Sequence, residues 1–185
     1  MSVFDGEEWF GAERVPSVVP SVVFKTRQLG DWVDVNSYEI FGGRRVVVFA
    51  LPGAFTPTCS SKQLPGYEEL YDDFLNSGVD EVFCLSVNDS FTMNAWAESL
   101  GISKVKMIPD GSGSFTRRMN MSVDKDNLGF GQRSWRYAMV VDNGRIEKLF
   151  EEPNKRDKAD SDPYELSTPE NVLAYLQGST EDIPF

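Results

Sequence analysis

Histidine is absent from the 185 residues of the chain, and cysteine occurs only twice. The first absence removes His-based metal sites, Ser-His-Asp triads and Cys-His dyads, so chemistry here must run on Cys, carboxylates, Arg, Lys, Tyr or Thr. Two cysteines are too few for a secreted disulfide framework, and reduced thiols in a cytoplasmic compartment are the expectation. Basic charge is also scarce: 18 Lys and Arg stand against 29 Asp and Glu, a net charge of −11. Phosphate-backbone binding needs clustered cations, so no nucleic-acid partner is expected. No apolar run approaches the roughly 20 residues of a membrane helix, and the acidic start "MSVFDGEEWFGAER" is unlike a basic leader; no membrane association is expected.

What is present is an ordinary globular composition, 41% apolar and 25% charged, which predicts one domain over residues 1–185. Residues 1–19 read as irregular, closed by Pro16 and Pro20. "SVVFKTR" and "DWVDV" predict a β pair around Leu29-Gly30-Asp31, and "RRVVVFAL" a strand buried on both faces of a sheet. Apolar residues from Leu64 to Leu75 recur at helical spacing, predicting a helix from about Pro57 to about Asn76, kinked at Pro65. "EVFCLSV" and "VKMI" predict strands flanking a helix capped by "NDS"; "SFTRRMNM" predicts a short helix and "NLGFGQ" a loop. In "SWRYAMVVDNGRIEKLF" two strands meet at Asn143-Gly144, a dipeptide suited to a type I′ turn. Residues 151–167 read as a charged, solvated surface loop, followed by a last helix that starts at Thr168-Pro169 and stops at Gly178. The order predicts an α/β fold: a central mixed sheet with helices on both faces and an N-terminal β pair.

The stretch "LPGAFTPTC", residues 51–59, follows the buried strand and ends on Cys59. Thr56-Pro57 is the start signature of a helix, a Thr cap followed by Pro at the first helical position. Cys59 then falls in the first turn, where unpaired N–H groups and the positive end of the helix dipole favour an anion. The stretch also ends the central strand at its carboxyl end, where open α/β sheets bind ligands. Buried, inert cysteine is the commoner fate of the residue type. Two features favour a reactive thiol instead: the position off the apolar stripe, and a Pro- and Thr-rich turn that packing alone does not require.

Pro52, Thr56 and Cys59 in "PGAFTPTC" meet the pattern P-x-x-x-T-x-x-C, and the chain here resembles the active-site motif of peroxiredoxins. With "SSKQLPGYEEL", "LSVNDSFTMNAW" and "RSWRYAMVVDNG" the resemblance narrows to the peroxiredoxin-5, or type II, subfamily, including the peroxiredoxin part of peroxiredoxin–glutaredoxin hybrids, and covers roughly residues 20 to 150. It implies a thioredoxin-like fold and a thiol-dependent peroxidase that reduces hydrogen peroxide and alkyl hydroperoxides without metal or organic cofactor. It implies Cys59 as the nucleophile that becomes a sulfenic acid, Thr56 as a hydroxyl that binds the peroxide, Pro52 as a shield against water, and Arg136 as the stabilising cation. The residues alone do not choose Arg136 over Arg133; the alignment of "RSWRY" with the family does. A homodimer is likewise implied by the resemblance.

No cysteine follows Cys84, so an internal disulfide from a C-terminal resolving cysteine is not expected. Cys84 in "EVFCLSV" reads as a buried strand residue, although plant relatives carry a candidate resolving cysteine at this spacing. The resemblance then implies an external thiol, glutathione with glutaredoxin or else thioredoxin, as reductant. Gln63 stands where the subfamily often has His. The alternatives to the peroxidase are a disulfide oxidoreductase, which would need Cys-x-x-Cys where this chain has "CSSK", and a peroxide-sensing switch or interaction module using Cys59.

Overall fold

A computed structural model describes residues 15–178. The N-terminal segment read as irregular lies mostly outside those residues; its described end is partly paired, for Val18 bridges Arg145 and Val19 is buried. The hairpin β1 (Val23–Gln28) and β2 (Asp31–Asn36) follows, antiparallel, as the N-terminal β pair. Helix α1 (Ser37–Phe41) comes next and was not expected. Its signal is the capping box: Asn36 Oδ1 accepts from Glu39 N at 3.0 Å and Glu39 Oε2 accepts from Asn36 N at 2.8 Å.

Strand β3 (Arg45–Ala50) is the centre of the molecule. It pairs in parallel with β4 (Glu81–Ser86), which pairs in parallel with β5 (Lys106–Pro109); its other edge pairs antiparallel with β8 (Tyr137–Asp142), continued by β9 (Arg145–Glu151). The order β5-β4-β3-β8-β9 is a mixed five-stranded sheet. The chain turns between β8 and β9 with φ of +46° at Asn143 and +80° at Gly144, the positive pair that a type I′ turn needs.

Period-two alternation divides the core. Val46, Val48 and Ala50 face one side with Phe24, Phe41, Phe115 and Trp135, beneath β1, α1 and helix α5 (Ser114–Arg118). Val47, Phe49 and Leu51 face the other with Cys59, Leu64, Tyr67, Phe74, Cys84, Trp96 and Val172. That second side is covered by α2 (Leu64–Glu69), α3 (Tyr71–Asn76), α4 (Ser90–Ser99) and α6 (Pro169–Leu176). Both sides of β3 are therefore dry, which is why its sequence is continuously apolar.

The single kinked helix expected from about Pro57 to Asn76 is three pieces: a π-helical turn at Cys59–Gln63, α2, and α3 after a break at Leu70. Pro65 has no N–H and its ring would meet the Ser61 carbonyl in a regular α-helix. The wider π turn, in which Leu64 N–H bonds Cys59 O, carries the chain past it. A second small hairpin, β6 (Ser122–Asp124) with β7 (Gln132–Ser134), was not expected: it follows the short helix read at 114–121 and encloses the loop read at 127–132, and three-residue strands carry too little pattern to register.

Candidate active site

The turn between β3 and the helix is held from several directions. Asn88, just past β4, accepts from Ala54 N at 3.0 Å and from Ser86 Oγ at 2.7 Å, fastening the turn to the neighbouring strand. Thr56 Oγ1 donates to Gly53 O at 2.6 Å, and Thr56 O accepts from Ser60 N at 3.0 Å as the helix begins. Gly53 leaves room for a neighbour: a Cβ there would stand 2.8 Å from Arg133 Nη1 and would displace that guanidinium. That guanidinium donates to Pro52 O at 3.3 Å and, through Nε, to Phe130 O at 3.1 Å, tying the turn to the loop between β6 and β7. Phe55, with φ of +63°, projects its ring outward at the apex.

Cys59 is 1% exposed in the third residue of the helix that starts at Pro57. Helix residues this early have no intrahelical carbonyl for their N–H groups, so Cys59 belongs to a turn whose amides lack helical partners. Arg136, also 1% exposed, donates from Nη1 to Cys59 Sγ at 3.5 Å and to Gln63 Oε1. Its Nη2 is gripped by both oxygens of Asp162, at 2.6 and 2.7 Å. The Tyr164 ring faces the same guanidinium at 5.5 Å. Burial works to lower the Arg136 pKa, but the charge of Cys59 and the Asp162 bond outweigh it and hold it above the ordinary guanidinium value. Of the four residues singled out in the sequence, Cys59 and Arg136 are in direct contact, Arg136 entering between β7 and β8, while Pro52, buried, and Thr56, half-buried, lie on the turn just before Cys59.

The arrangement is a buried thiol in contact with a buried guanidinium, in the first turn of a helix at the carboxyl end of a central strand. Comparison with known proteins gives the same address. The chain matches the Redoxin family over residues 13–166. It is 53% identical over 173 residues to a peroxiredoxin of Synechocystis, covering 89% of this chain and 92% of that one. The chain is a peroxiredoxin, of the Redoxin family. It is 52% identical over 158 residues to the hybrid peroxiredoxin of Haemophilus influenzae, covering 85% of this chain and 64% of the hybrid. Its fold superposes on the antioxidant protein of Plasmodium falciparum, a 1-Cys peroxiredoxin, with a TM-score of 0.84 at 38% identity, covering 89% of this chain and 98% of that one. The molecule is a thiol-dependent peroxidase with a thioredoxin-like fold.

Within this peroxiredoxin both cysteines are free and both lie in the core beneath α2 and α4. Cys84 sits in mid-strand on β4, fully buried; burial, and then the charge of Cys59, push its thiol well above the ordinary value. It is held as a neutral packing residue. Sequence reasoning missed Asp162, Asn88 and the use of Gln63. Gln63 is read easily only once the π turn places it beside Cys59, and Asn88 only once β3 and β4 are known to be neighbours. Asp162 has no local signal at all.

The segment after β9 also differs from a simply solvated loop. Glu152 is 1% exposed, and its Oε1 accepts from Glu165, Leu166 and Ser167 N, each at 2.8 Å, and from Ser167 Oγ at 2.9 Å. Ala159 and Ser167 are buried. A carboxylate that satisfies four donors folds the charged run back upon the site.

Proposed function

We propose that peroxide reduction in this peroxiredoxin runs through Cys59, Thr56, Pro52 and Arg136. The observation that carries the assignment is the Arg136 Nη1 to Cys59 Sγ hydrogen bond of 3.5 Å between two buried groups. A guanidinium cannot lose its proton, so this contact sets a fixed positive charge against the reacting sulfur. The thiolate attacks one oxygen of the peroxide in line; the S–O bond forms as the O–O bond breaks, sulfur is oxidised to the sulfenic acid, and the alkoxide or hydroxide leaves as alcohol or water after taking a proton. Arg136 and the first-turn N–H groups meet the negative charge as it moves from sulfur to the leaving oxygen. Thr56 Oγ1 donates its one hydrogen bond to Gly53 O, which leaves its lone pairs to accept the peroxide O–H. Pro52 offers no N–H and screens the sulfur from water.

One external thiol then displaces hydroxide from the sulfenic acid as water, giving a mixed disulfide, and a second releases the Cys59 thiolate by exchange. Glutathione with glutaredoxin, or thioredoxin, supplies these thiols; the neutral, buried state of Cys84 supports an external donor over an internal one. We further propose a single domain over 1–185 that works as a cytoplasmic homodimer. No helix of the described residues is long and apolar enough to cross a membrane.

Stopped-flow oxidation by hydrogen peroxide of the wild type, Cys59→Ser and Cys84→Ser, followed by turnover with excess of each thiol system, tests the scheme. Cys59→Ser is expected to consume no peroxide and Cys84→Ser to cycle normally. Peroxide consumption by Cys59→Ser sinks the assignment. Oxidation in one stoichiometric burst with every reductant would favour a sensor that uses the same cysteine.

A further inference from the structure

Arg136 has one end on the reacting sulfur and the other on a residue far along the chain. Both Asp162 oxygens take Nη2, while Nη1 reaches Cys59 and Gln63. Because the guanidinium is planar with its nitrogens in a fixed fork, holding Nη2 sets the direction of Nη1. Gln63 alone leaves the plane free to rotate about that bond; Asp162 removes this freedom.

The position of Asp162 is itself determined. On its N-terminal side Lys158 N donates to Asp124 O at 2.7 Å, Asp157 Oδ1 accepts from Asp124 N at 2.8 Å, and Ala159 is in the core. On its C-terminal side Glu152 binds the three amides of residues 165–167, and Ser167 O accepts from Tyr67 OH at 2.7 Å. Glu152 N also donates to Arg136 O at 3.1 Å, so the strap begins at the residue it returns to. A stretch of a few residues pinned at both ends presents Asp162 to Arg136.

We propose that Asp162 is a positioning residue for peroxide reduction, fixing the Arg136 guanidinium in the orientation that serves Cys59. This rests on the role given to Arg136 above. The carboxylate has two opposed effects: it orients the cation, which favours the thiolate, and its charge offsets that of the cation, which disfavours it. Orientation governs, because at hydrogen-bond distance a displaced donor loses nearly all its effect, whereas the carboxylate is nearly half exposed and screened by water.

The test compares Asp162→Ala, Asp162→Asn and Arg136→Gln in the full chain, by stopped-flow oxidation with hydrogen peroxide, ultraviolet thiolate absorbance, and urea unfolding. Asp162→Ala is expected to slow oxidation by about 10- to 100-fold, the scale of a misplaced catalytic group, and to lower the thiolate fraction at neutral pH. Asp162→Asn keeps an acceptor for Nη2 and is expected to recover most of the rate. If both variants instead raise the thiolate fraction and neither is slowed, the carboxylate acts through charge and the proposal falls. If Asp162→Ala is slow, Asn gives no recovery and both lose stability equally, the residue is only structural and the proposal falls. A wild-type rate in Arg136→Gln overturns the underlying role of Arg136, an outcome separate from a slow Arg136→Gln beside an unaffected Asp162→Ala, which overturns Asp162 alone.

Discussion

Arg136 Nη1 donates to Cys59 Sγ at 3.5 Å across 77 residues of sequence. One side chain leaves the junction of β7 and β8, the other the first turn of the helix after β3, and they meet because β3 and β8 are paired along their whole length, with Ala50 opposite Tyr137. The register of two strands is what delivers a cation to a thiol.

Removing that cation should be costly. Arg136→Gln is expected to slow Cys59 oxidation by about 100- to 1,000-fold, the effect of deleting one preorganised donor from a transition state. Arg136→Lys keeps a charge but cannot span Cys59, Gln63 and Asp162 with one fork, so its rate should lie between the two. Stopped-flow kinetics at a single pH would rank the three proteins.

Thr56 separates hydroxyl from shape. Thr56→Ser retains the bond to Gly53 O and the free lone pairs and should keep most activity. Thr56→Val is close to isosteric, loses the acceptor, and is expected to lower the peroxide rate by about 100-fold. Its stability should fall by about 1 kcal/mol, one net hydrogen bond, measured by urea unfolding.

Cys84→Ser should leave turnover with an external thiol intact. A buried hydroxyl with no assured partner replaces an apolar thiol among Phe49, Met107 and Val82, so a loss of about 1–3 kcal/mol is expected from chemical denaturation.

Glu152→Ala removes the acceptor for three backbone amides at once. A loss of about 2–3 kcal/mol is expected, chiefly the consequence of leaving the buried Ser167 N–H and hydroxyl unsatisfied, the Glu165 and Leu166 amides being nearer water. Slower peroxide oxidation should accompany it, since the strap that carries Asp162 loosens. Hydrogen exchange at residues 165–167 would report the release directly, and Glu152→Gln, which keeps one carbonyl oxygen, should show a smaller change.

Alkaline pH should destabilise the fold. Burial first, with neighbouring negative charges adding to it, raises the thiol of Cys84 and the phenols of Tyr67 and Tyr137 well above their ordinary values of 9.0 and 10.0. In the unfolded chain these groups ionise at the ordinary values, so above about pH 9 the folded state holds more protons than the unfolded one and stability falls with rising pH. The contribution is complete below pH 9 and is lost progressively above it. Unfolding midpoints in urea at intervals from pH 8 upward should decline, and a flat profile would contradict the burial of these three groups.

Much of this was legible in the chain. Val46 to Phe49 read as a strand dry on both sides, Asn143-Gly144 as the turn of a tight hairpin, and Thr56-Pro57 as a helix start three residues before the thiol. Such signals are local: they arise from backbone sterics, turn dihedrals and unpaired helix donors within a few residues. Short elements escaped for the same reason. Five residues of α1 and three each of β6 and β7 complete too little of a period to stand out, although the Asn36 and Glu39 capping box was there to be seen.

The choice between Arg133 and Arg136 was not local. Both are cations near Cys59, and only the fold shows that Arg136 touches sulfur while Arg133 takes Pro52 O and the space left by Gly53. Asp162 and Glu152 sat in a run of charges that composition assigns to solvent, because nothing in a charged sequence says which carboxylate will be buried. By itself the sequence determined the buried strand, the turn and a thiol placed where a helix start favours an anion. Tertiary structure decided which cation meets that thiol and which carboxylates hold it, because those pairings depend on strand register and on the path of a loop, and both are set by burial summed over the whole chain.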